Sequence, residues 1–293
     1  MKVLITGAQG QLGTELRASA PAHVQIIATD VSALDITDRE RVKTFVADSK
    51  PDLIINAAAY TAVDKAEAEP DLAFKINRDG AAHLAEAAHA HGARLIHIST
   101  DYVFDGTQST PYKPADKPNP INVYGASKLA GEQAVLQGTE GGALIVRTAW
   151  VYSTTGTNFV KTMLRLLRER DEVRVVCDQI GTPTHAAGLA RALWQFVGLP
   201  GVRGIYHWTD AGTASWYDFA SAIRCSAQIL LPAIRWGRVA SIATVDYPTA
   251  ARRPPYGVLD KRSTWRRIGR PQRWQCELEA MLTKTIHYNA ALA

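Results

Sequence analysis

The chain has little cysteine: Cys177, Cys225 and Cys276 are the three in 293 residues. They are far apart and odd in number, which excludes a disulfide framework and a CxxC metal knuckle. Buried free thiols in a reducing cytoplasm are the expectation. Long apolar runs are also missing. The first, Val3-Leu4-Ile5, stops at Thr6-Gly7, too short for a signal core or a membrane span, so no membrane role is expected. There is no repeat of fixed period and no low-complexity tract. Charge of one sign is scarce too: 33 basic residues stand against 28 acidic, a net of +5. The basic residues gather late, at Arg252-Arg253, Lys261-Arg262 and Arg266-Arg267, with no nucleic-acid-reading motif beside them. That argues against a nucleic-acid partner and leaves a solvated face with ordinary ion pairs, or an anionic small molecule facing the patch. What is present is a 46% hydrophobic fraction, enough for a real core, and a length that allows one large or two modest domains.

The first half alternates strand-like and helix-like segments. Short apolar runs lie at Val3-Leu4-Ile5, within residues 23–29, at Leu53-Ile54-Ile55, Leu95-Ile96-His97-Ile98 and Leu144-Ile145-Val146. Such runs suit parallel strands buried under two helix layers. Between them, residues 38–49 (with Thr37 as its cap), 73–91 and 124–137 have helical spacing. This pattern predicts an α/β fold: a Rossmann-type doubly wound parallel sheet with a smaller C-terminal α/β substrate-binding domain. Residues 1–150 are expected to form the dinucleotide-binding domain and 151–293 mainly the cap, with helices at 159–169, 186–197 and 216–227. Parts of 151–240 are allowed to return to the sheet, Val173-Arg174-Val175-Val176 being the candidate strand.

In such sheets, ligands bind at the carboxyl ends of the strands. The first strand ends in Gly7-Ala8-Gln9-Gly10-Gln11-Leu12-Gly13. Glycines there let backbone approach a pyrophosphate, and the following helix start offers free N–H groups and a positive dipole end. Asp30, ending the second strand, suits an adenosine ribose and disfavours a 2′-phosphate. Asp35 and Ile36 lie where an adenine would rest. Ala57, Ala58 and Ala59, after the third strand, are small enough for a cofactor to lie on the backbone, and Tyr60 reaches the nicotinamide half or the substrate. Tyr124 and Lys128 share a helix face at i and i+4. A phenol near pKa ~10 exchanges protons poorly at neutral pH, and a neighbouring ammonium lowers that value. Tyr124 is thus the expected proton donor to an alkoxide, with Lys128 its partner and a nicotinamide-ribose contact. Thr100 is expected to orient the reacting oxygen, with Ser99 as the competing hydroxyl, since strand alternation lets only one face the cleft.

These residues, with the blocks STDYVFDG (99–106), RTAWVY (147–152), GTPT (181–184) and YPTAARRP (247–254), resemble the dTDP-4-dehydrorhamnose reductase family of extended short-chain dehydrogenase/reductases over nearly the whole chain. The resemblance implies NADH or NADPH as cofactor and reduction of the C4 ketone of a dTDP-sugar. It places Gly10, Gln11 and Leu12 on the pyrophosphate, Tyr102 along the cofactor, and Thr100, Asp101, Trp150 and Arg253 at the substrate. Some relatives hold Mg²⁺ between subunits through glutamates. Glu15 is present here, but the other two positions read Ala187 and Lys284, which makes magnesium doubtful and a monomer or weak homodimer the expectation. Pro255-Tyr256-Gly257 also departs from the family, which often carries Asn and Ser there. Two other readings stay open at this point: a reductase or epimerase of another nucleotide sugar, and a non-catalytic nucleotide-binding regulatory subunit.

Overall fold

The computed structural model describes residues 1–290. In the first half it runs β1 (Lys2–Thr6), α1 (Gln11–Ala18), β2 (Gln25–Thr29), α2 (Arg39–Ser49), β3 (Leu53–Asn56), α3 (Val63–Ala68), α4 (Pro70–Phe74), α5 (Ala81–Ala90), β4 (Arg94–Thr100), α6 (Val123–Gly138) and β5 (Leu144–Thr148). The second half runs β6 (Val151–Tyr152), α7 (Phe159–Glu169), β7 (Glu172–Val176), β8 (Ile180–Gly181), β9 (Thr184–His185), α8 (Ala186–Val197), β10 (Gly204–His207), β11 (Ala214–Ser215), α9 (Trp216–Leu230), β12 (Arg238–Ile242), α10 (Arg262–Ile268) and α11 (Trp274–Ala290).

The main sheet is parallel throughout, in the order β10-β5-β4-β3-β1-β2. Strand alternation divides its side chains between two cores. Val3, Ile5, Leu53, Ile55 and Val146 face α1 and α8, where Leu16, Leu189 and Leu193 meet them. Leu4, Ile54 and Ile145 face the other way, onto Val42, Leu84 and Val135 of α2, α5 and α6. A strand with both faces covered must be apolar on both, which is why these runs read as continuous rather than alternating. The strand order reverses at β1, between β3 and β2, so a crevice opens past the carboxyl end of β1.

A third core lies outside the sheet. Val160, Leu167, Phe219, Ile223, Leu278 and Met281 bring α7, α9 and α11 together over the parallel pair β7–β12. Val173 to Val176 therefore pairs with β12 and not with the main sheet. The segment that does rejoin the sheet is β10, alongside β5.

Three local expectations need correction. Helix α2 is capped by Asp38, whose carboxylate accepts from the Arg41 amide at 3.0 Å, and not by Thr37. Residues 75–80, between α4 and α5, form a π-helical segment within what read as one helix. All three cysteines are exposed. Cys225 and Cys276 lie on the outer faces of α9 and α11, whose inner faces are taken by Ile223, Ala227, Leu278 and Met281, and Cys177 follows the end of β7.

Candidate active site

A single cavity of about 770 Å³ runs over the carboxyl ends of the main strands. Gly7, Gly10, Gln11, Leu12, Asp30, Asp35 and Ile36 line one end, and Thr100, Asp101, Tyr102, Tyr124, Lys128 and Trp150 the other, with Ala57, Ala58 and Ala59 between them.

The glycine turn is built by close approach. Gly7 has φ +66, and a Cβ there would lie 2.7 Å from the Ala58 amide nitrogen. A side chain at Gly13 would strike the Gly7 carbonyl, so Gly13 seals helix to strand and does not reach the cavity wall. Helix α1 begins after Gly10 with no side-chain cap. Its first amides therefore face the cleft without an acceptor, in the geometry that receives a diphosphate. Asp30 fixes the turn as well as facing the cleft: one oxygen accepts from the Gln9 amide and the other from the Val31 amide, each at 2.9 Å. Each oxygen keeps lone-pair capacity for a ribose hydroxyl. Uncapped amides, a strand-end carboxylate and a small-residue floor fit a dinucleotide, and the volume is in the range of ligand clefts.

Residues far along the chain complete this end. Asn158, before α7, donates to Gln11 Oε1 at 3.0 Å and lines the cavity. Arg41 donates to the Ala33 carbonyl at 2.9 Å, and together with Lys75 it holds Asp35 below the usual carboxylate range, after the larger effect of the Thr37 amide bond. An arginine thus overlooks the loop after β2, a feature invisible when only the residues next to Asp30 are inspected.

At the other end, Tyr124 lies on the first turn of α6, whose cap Asn122 accepts from the Gly125 amide at 2.8 Å. Gly125 gives α6 its close contact with the Tyr102 carbonyl. The rings of Tyr102 and Tyr124 meet edge to face, 5.5 Å apart. Burial pushes the Tyr124 phenol up to about 12, opposed by a hydrogen bond from Thr100 and reinforced by the charge of Asp101. Of the two hydroxyls, that of Thr100 donates to Asp101 Oδ1 at 3.1 Å, beside Tyr124, whereas that of Ser99 donates to Glu132. Glu132 in turn makes a buried two-point ion pair with Arg147, at 2.8 and 2.6 Å.

Lys128 departs from its expected geometry. Its amine donates to the Ile98 carbonyl at 2.7 Å and lies 3.4 Å from His97 Nε2. Burial lowers it to about 8. The amine thus bonds the strand backbone and not the Tyr124 hydroxyl.

Asp101 is buried, and its carboxyl is pushed up to about 7 by desolvation. The loop at 254–257 packs against it. A Cβ at Gly257 would lie 2.5 Å from Asp101 Oδ2, and one at Gly106 would lie 2.6 Å from Pro255. The departure at Pro255-Tyr256-Gly257 thus falls where a side chain would displace Asp101. Trp150 holds a left-handed backbone, φ +47, costly for a bulky residue. Its ring stacks on Trp216 at 3.6 Å and 10°, and both indoles line the cavity. Sequence reading missed Trp216, although Ser215 and Asp218 form a capping box that marks the start of its helix.

Two expected residues are placed elsewhere. The Tyr60 hydroxyl donates to Glu69 at 2.6 Å, while Asn77 holds the Tyr60 backbone. Arg253 makes a two-point ion pair with Asp64 at 3.0 and 2.7 Å, tying the 247–254 block to α3. Neither residue lines the cavity. The same is true of the other late basic residues: Lys261 is buried on Thr209, Arg262 pairs with Asp260, and Arg267 covers Tyr206. Lys128 is the sole cation on the cavity wall among the described residues, so the late basic cluster does not face the cleft. Among the described residues no group of three or more acidic, histidine or cysteine side chains is placed to hold a metal.

The sequence model of the family described as "RmlD substrate binding domain" matches residues 1–286. The dTDP-4-dehydrorhamnose reductase of Aggregatibacter actinomycetemcomitans is 44% identical over 288 residues, covering 95% of this chain and 97% of that protein. Among solved structures, a dTDP-4-dehydrorhamnose reductase from Clostridium acetobutylicum superposes with a TM-score of 0.91 at 41% identity, over 97% of this chain and 99% of that one. The enzyme of the same name from Bacillus anthracis, solved in complex with NADP, also gives 0.91, at 40% identity and the same coverage.

Proposed function

The chain belongs to the RmlD substrate binding domain family, and from that membership we infer that it is an NAD(P)H-dependent dTDP-4-dehydrorhamnose reductase. It reduces the C4 ketone of dTDP-4-dehydro-L-rhamnose to the alcohol of dTDP-L-rhamnose, a precursor for cell-surface polysaccharide. The observation that carries the reading is the single cavity that has the α1 amides and Asp30 on one wall and Tyr124, Thr100 and Lys128 on the other.

When bound, the reduced nicotinamide supplies the hydride. The rest falls to the chain. Gly10, Gln11 and Leu12 receive the pyrophosphate, through the free amides of Gln11 and Leu12, since that of Gly10 donates to the Gly7 carbonyl; Asp30 receives the adenosine ribose, and Ala57, Ala58 and Ala59 form the floor. The Tyr124 hydroxyl gives its proton to the C4 oxygen as negative charge develops there, and Thr100 aligns that oxygen. Asp101 and the Trp150–Trp216 stack bound the sugar side. Arg253 acts through Asp64, holding the 247–254 segment over Tyr102. In this reading residues 151–293 contribute mainly to the substrate side.

Cytoplasmic location and a monomer or weak homodimer belong to the same reading. No described helix is long and apolar enough to cross a membrane. The deciding experiment mixes purified protein with the ketosugar nucleotide and NADH or NADPH in turn. Stoichiometric loss of nicotinamide absorbance supports the reductase. Catalytic interconversion of sugars without loss of reduced cofactor is the result expected of an epimerase.

A further inference from the structure

We propose that Asn158, just ahead of α7, is a positioning residue for the cofactor: it fixes the side-chain amide of Gln11 so that Nε2, and not Oε1, meets the pyrophosphate. The inference rests on the dinucleotide site described above, and it adds a donor that is set from the second half of the chain.

Charge creates the need for such a donor. A dinucleotide brings two negative phosphates, whereas Lys128, the sole cation on the cavity wall among the described residues, stands at the other end. Lys161, in the first turn of α7, is drawn off: its amine donates to the Thr154 and Gly156 carbonyls at 3.1 and 3.0 Å. The pyrophosphate therefore depends on uncharged N–H groups, and bonds from these to a phosphate oxygen are charge-assisted. The free backbone amides of Gln11 and Leu12 open that set.

The side chain of Gln11 extends it, and Asn158 decides which atom is offered. Asn158 Oδ1 accepts from the Lys161 amide at 3.1 Å, capping α7. A backbone N–H only donates, so the atom facing it is the oxygen. The opposite side agrees, since Nδ2 lies 2.8 Å from the Ser153 carbonyl, which only accepts. Two backbone groups thus settle this amide independently. One Nδ2 hydrogen goes to Ser153. The other goes to Gln11 at 3.0 Å, with the Thr155 carbonyl more distant at 3.4 Å. Only an acceptor suits that place, so the Gln11 atom there is Oε1. Nε2 is then left on the far side of the same amide, with no acceptor among the described residues, in a side chain that lines the cavity beside Gly10 and Leu12. Turning the Gln11 amide would set NH₂ against NH₂ at Asn158 and oxygen against the phosphate. The loop backbone also holds the Gln11 stem: Gly156 has φ +68, and a Cβ there would lie 3.2 Å from Gln11 Cγ.

Titration of the full-length protein with NADH, followed by nicotinamide fluorescence, tests this. Gln11→Ala removes the donor and is expected to raise Kd about tenfold or more, as for a lost bond to a charged group. Asn158→Ser keeps a capping oxygen for the Lys161 amide but cannot hold Gln11. It is expected to raise Kd about threefold to tenfold, because binding must then order a free glutamine. In the Gln11→Ala background the same serine should change Kd by less than about twofold, since Asn158 acts only through Gln11. A merely structural role for the loop would weaken binding equally in both backgrounds, and that result overturns the proposal. Asn158→Thr, also a capping residue, serves if the serine variant does not fold. A Gln11→Ala protein that binds NADH as tightly as the unsubstituted one overturns the proposal by itself. The titration contains no sugar, so each outcome stands whether or not the ketosugar is reduced.

Discussion

The carboxylate of Asp101 fills the space that a side chain at position 257 would occupy, with Oδ2 2.5 Å from where the Cβ of Gly257 would stand. The two residues are far apart in sequence, and their contact packs the 254–257 loop behind a carboxylate of the cavity wall. Gly257→Ala must push either Asp101 or the 254–257 loop away. Overpacking of this kind costs ~1–3 kcal/mol. We expect kcat/KM for the ketosugar to fall about tenfold to a hundredfold, with NADH affinity measured by fluorescence nearly unchanged. Unaltered kcat/KM would show that the loop yields freely.

Tyr124→Phe removes the proposed proton donor and leaves the ring packed on Tyr102. Turnover is expected to drop by about 10²–10⁴, the usual contribution of a general acid. NADH binding, read by fluorescence titration, should stay close to that of the unsubstituted protein.

The raised carboxyl of Asp101 makes stability depend on pH. Below its ordinary value of 3.8 the group is protonated folded and unfolded alike, and no difference arises. Between there and about 7 the unfolded chain ionises while the folded chain does not, so stability falls as pH rises through that window and levels off above it. Asp101→Asn lacks this slope. Its stability relative to the unsubstituted protein, from urea denaturation, should therefore be higher at about pH 7.5 than at about pH 5. An equal difference at the two pH values would mean that Asp101 ionises normally.

The Glu132–Arg147 pair is buried, with side chains 2% and 1% exposed. Glu132→Gln leaves a guanidinium without its counter-charge and is expected to cost ~3–5 kcal/mol in chemical denaturation. Replacing both partners, as in Glu132→Leu with Arg147→Met, should recover most of that loss, because no buried charge then stands alone.

Arg41 is the cation nearest the loop after β2 by its bond to Ala33. Arg41→Ala is expected to raise KM for NADPH about tenfold and KM for NADH much less, since only the former carries a 2′-phosphate. Equal changes for both cofactors would remove Arg41 from this role.

Much of the sheet was legible because a strand covered on both faces has no choice but to be apolar. Leu53 to Ile55 and Leu144 to Val146 announce themselves in that way. The return strand did not. Gly-Ile-Tyr-His at 204–207 lies on the sheet's edge, where only part of each face is buried, so no apolar run marks it. The glycine turn and the Tyr124/Lys128 spacing were readable because their chemistry depends on local spacing. Asn158 on Gln11, Trp216 on Trp150 and Gly257 against Asp101 were not, because each joins segments separated by many residues and depends on the fold for its meaning.

The late arrival of β10 bears on how the protein is made. Strand β5 ends at Thr148, and its edge partner begins at Gly204. While a ribosome synthesises the intervening segment, at about 5–20 residues per second, β5 offers an open row of amides and carbonyls for several seconds. Within that interval the nascent chain carries a template for pairing with its neighbours on the polysome. A fragment ending before Gly204 keeps that template permanently, so the yield of soluble protein depends on a four-residue strand that contributes no group to the cavity wall.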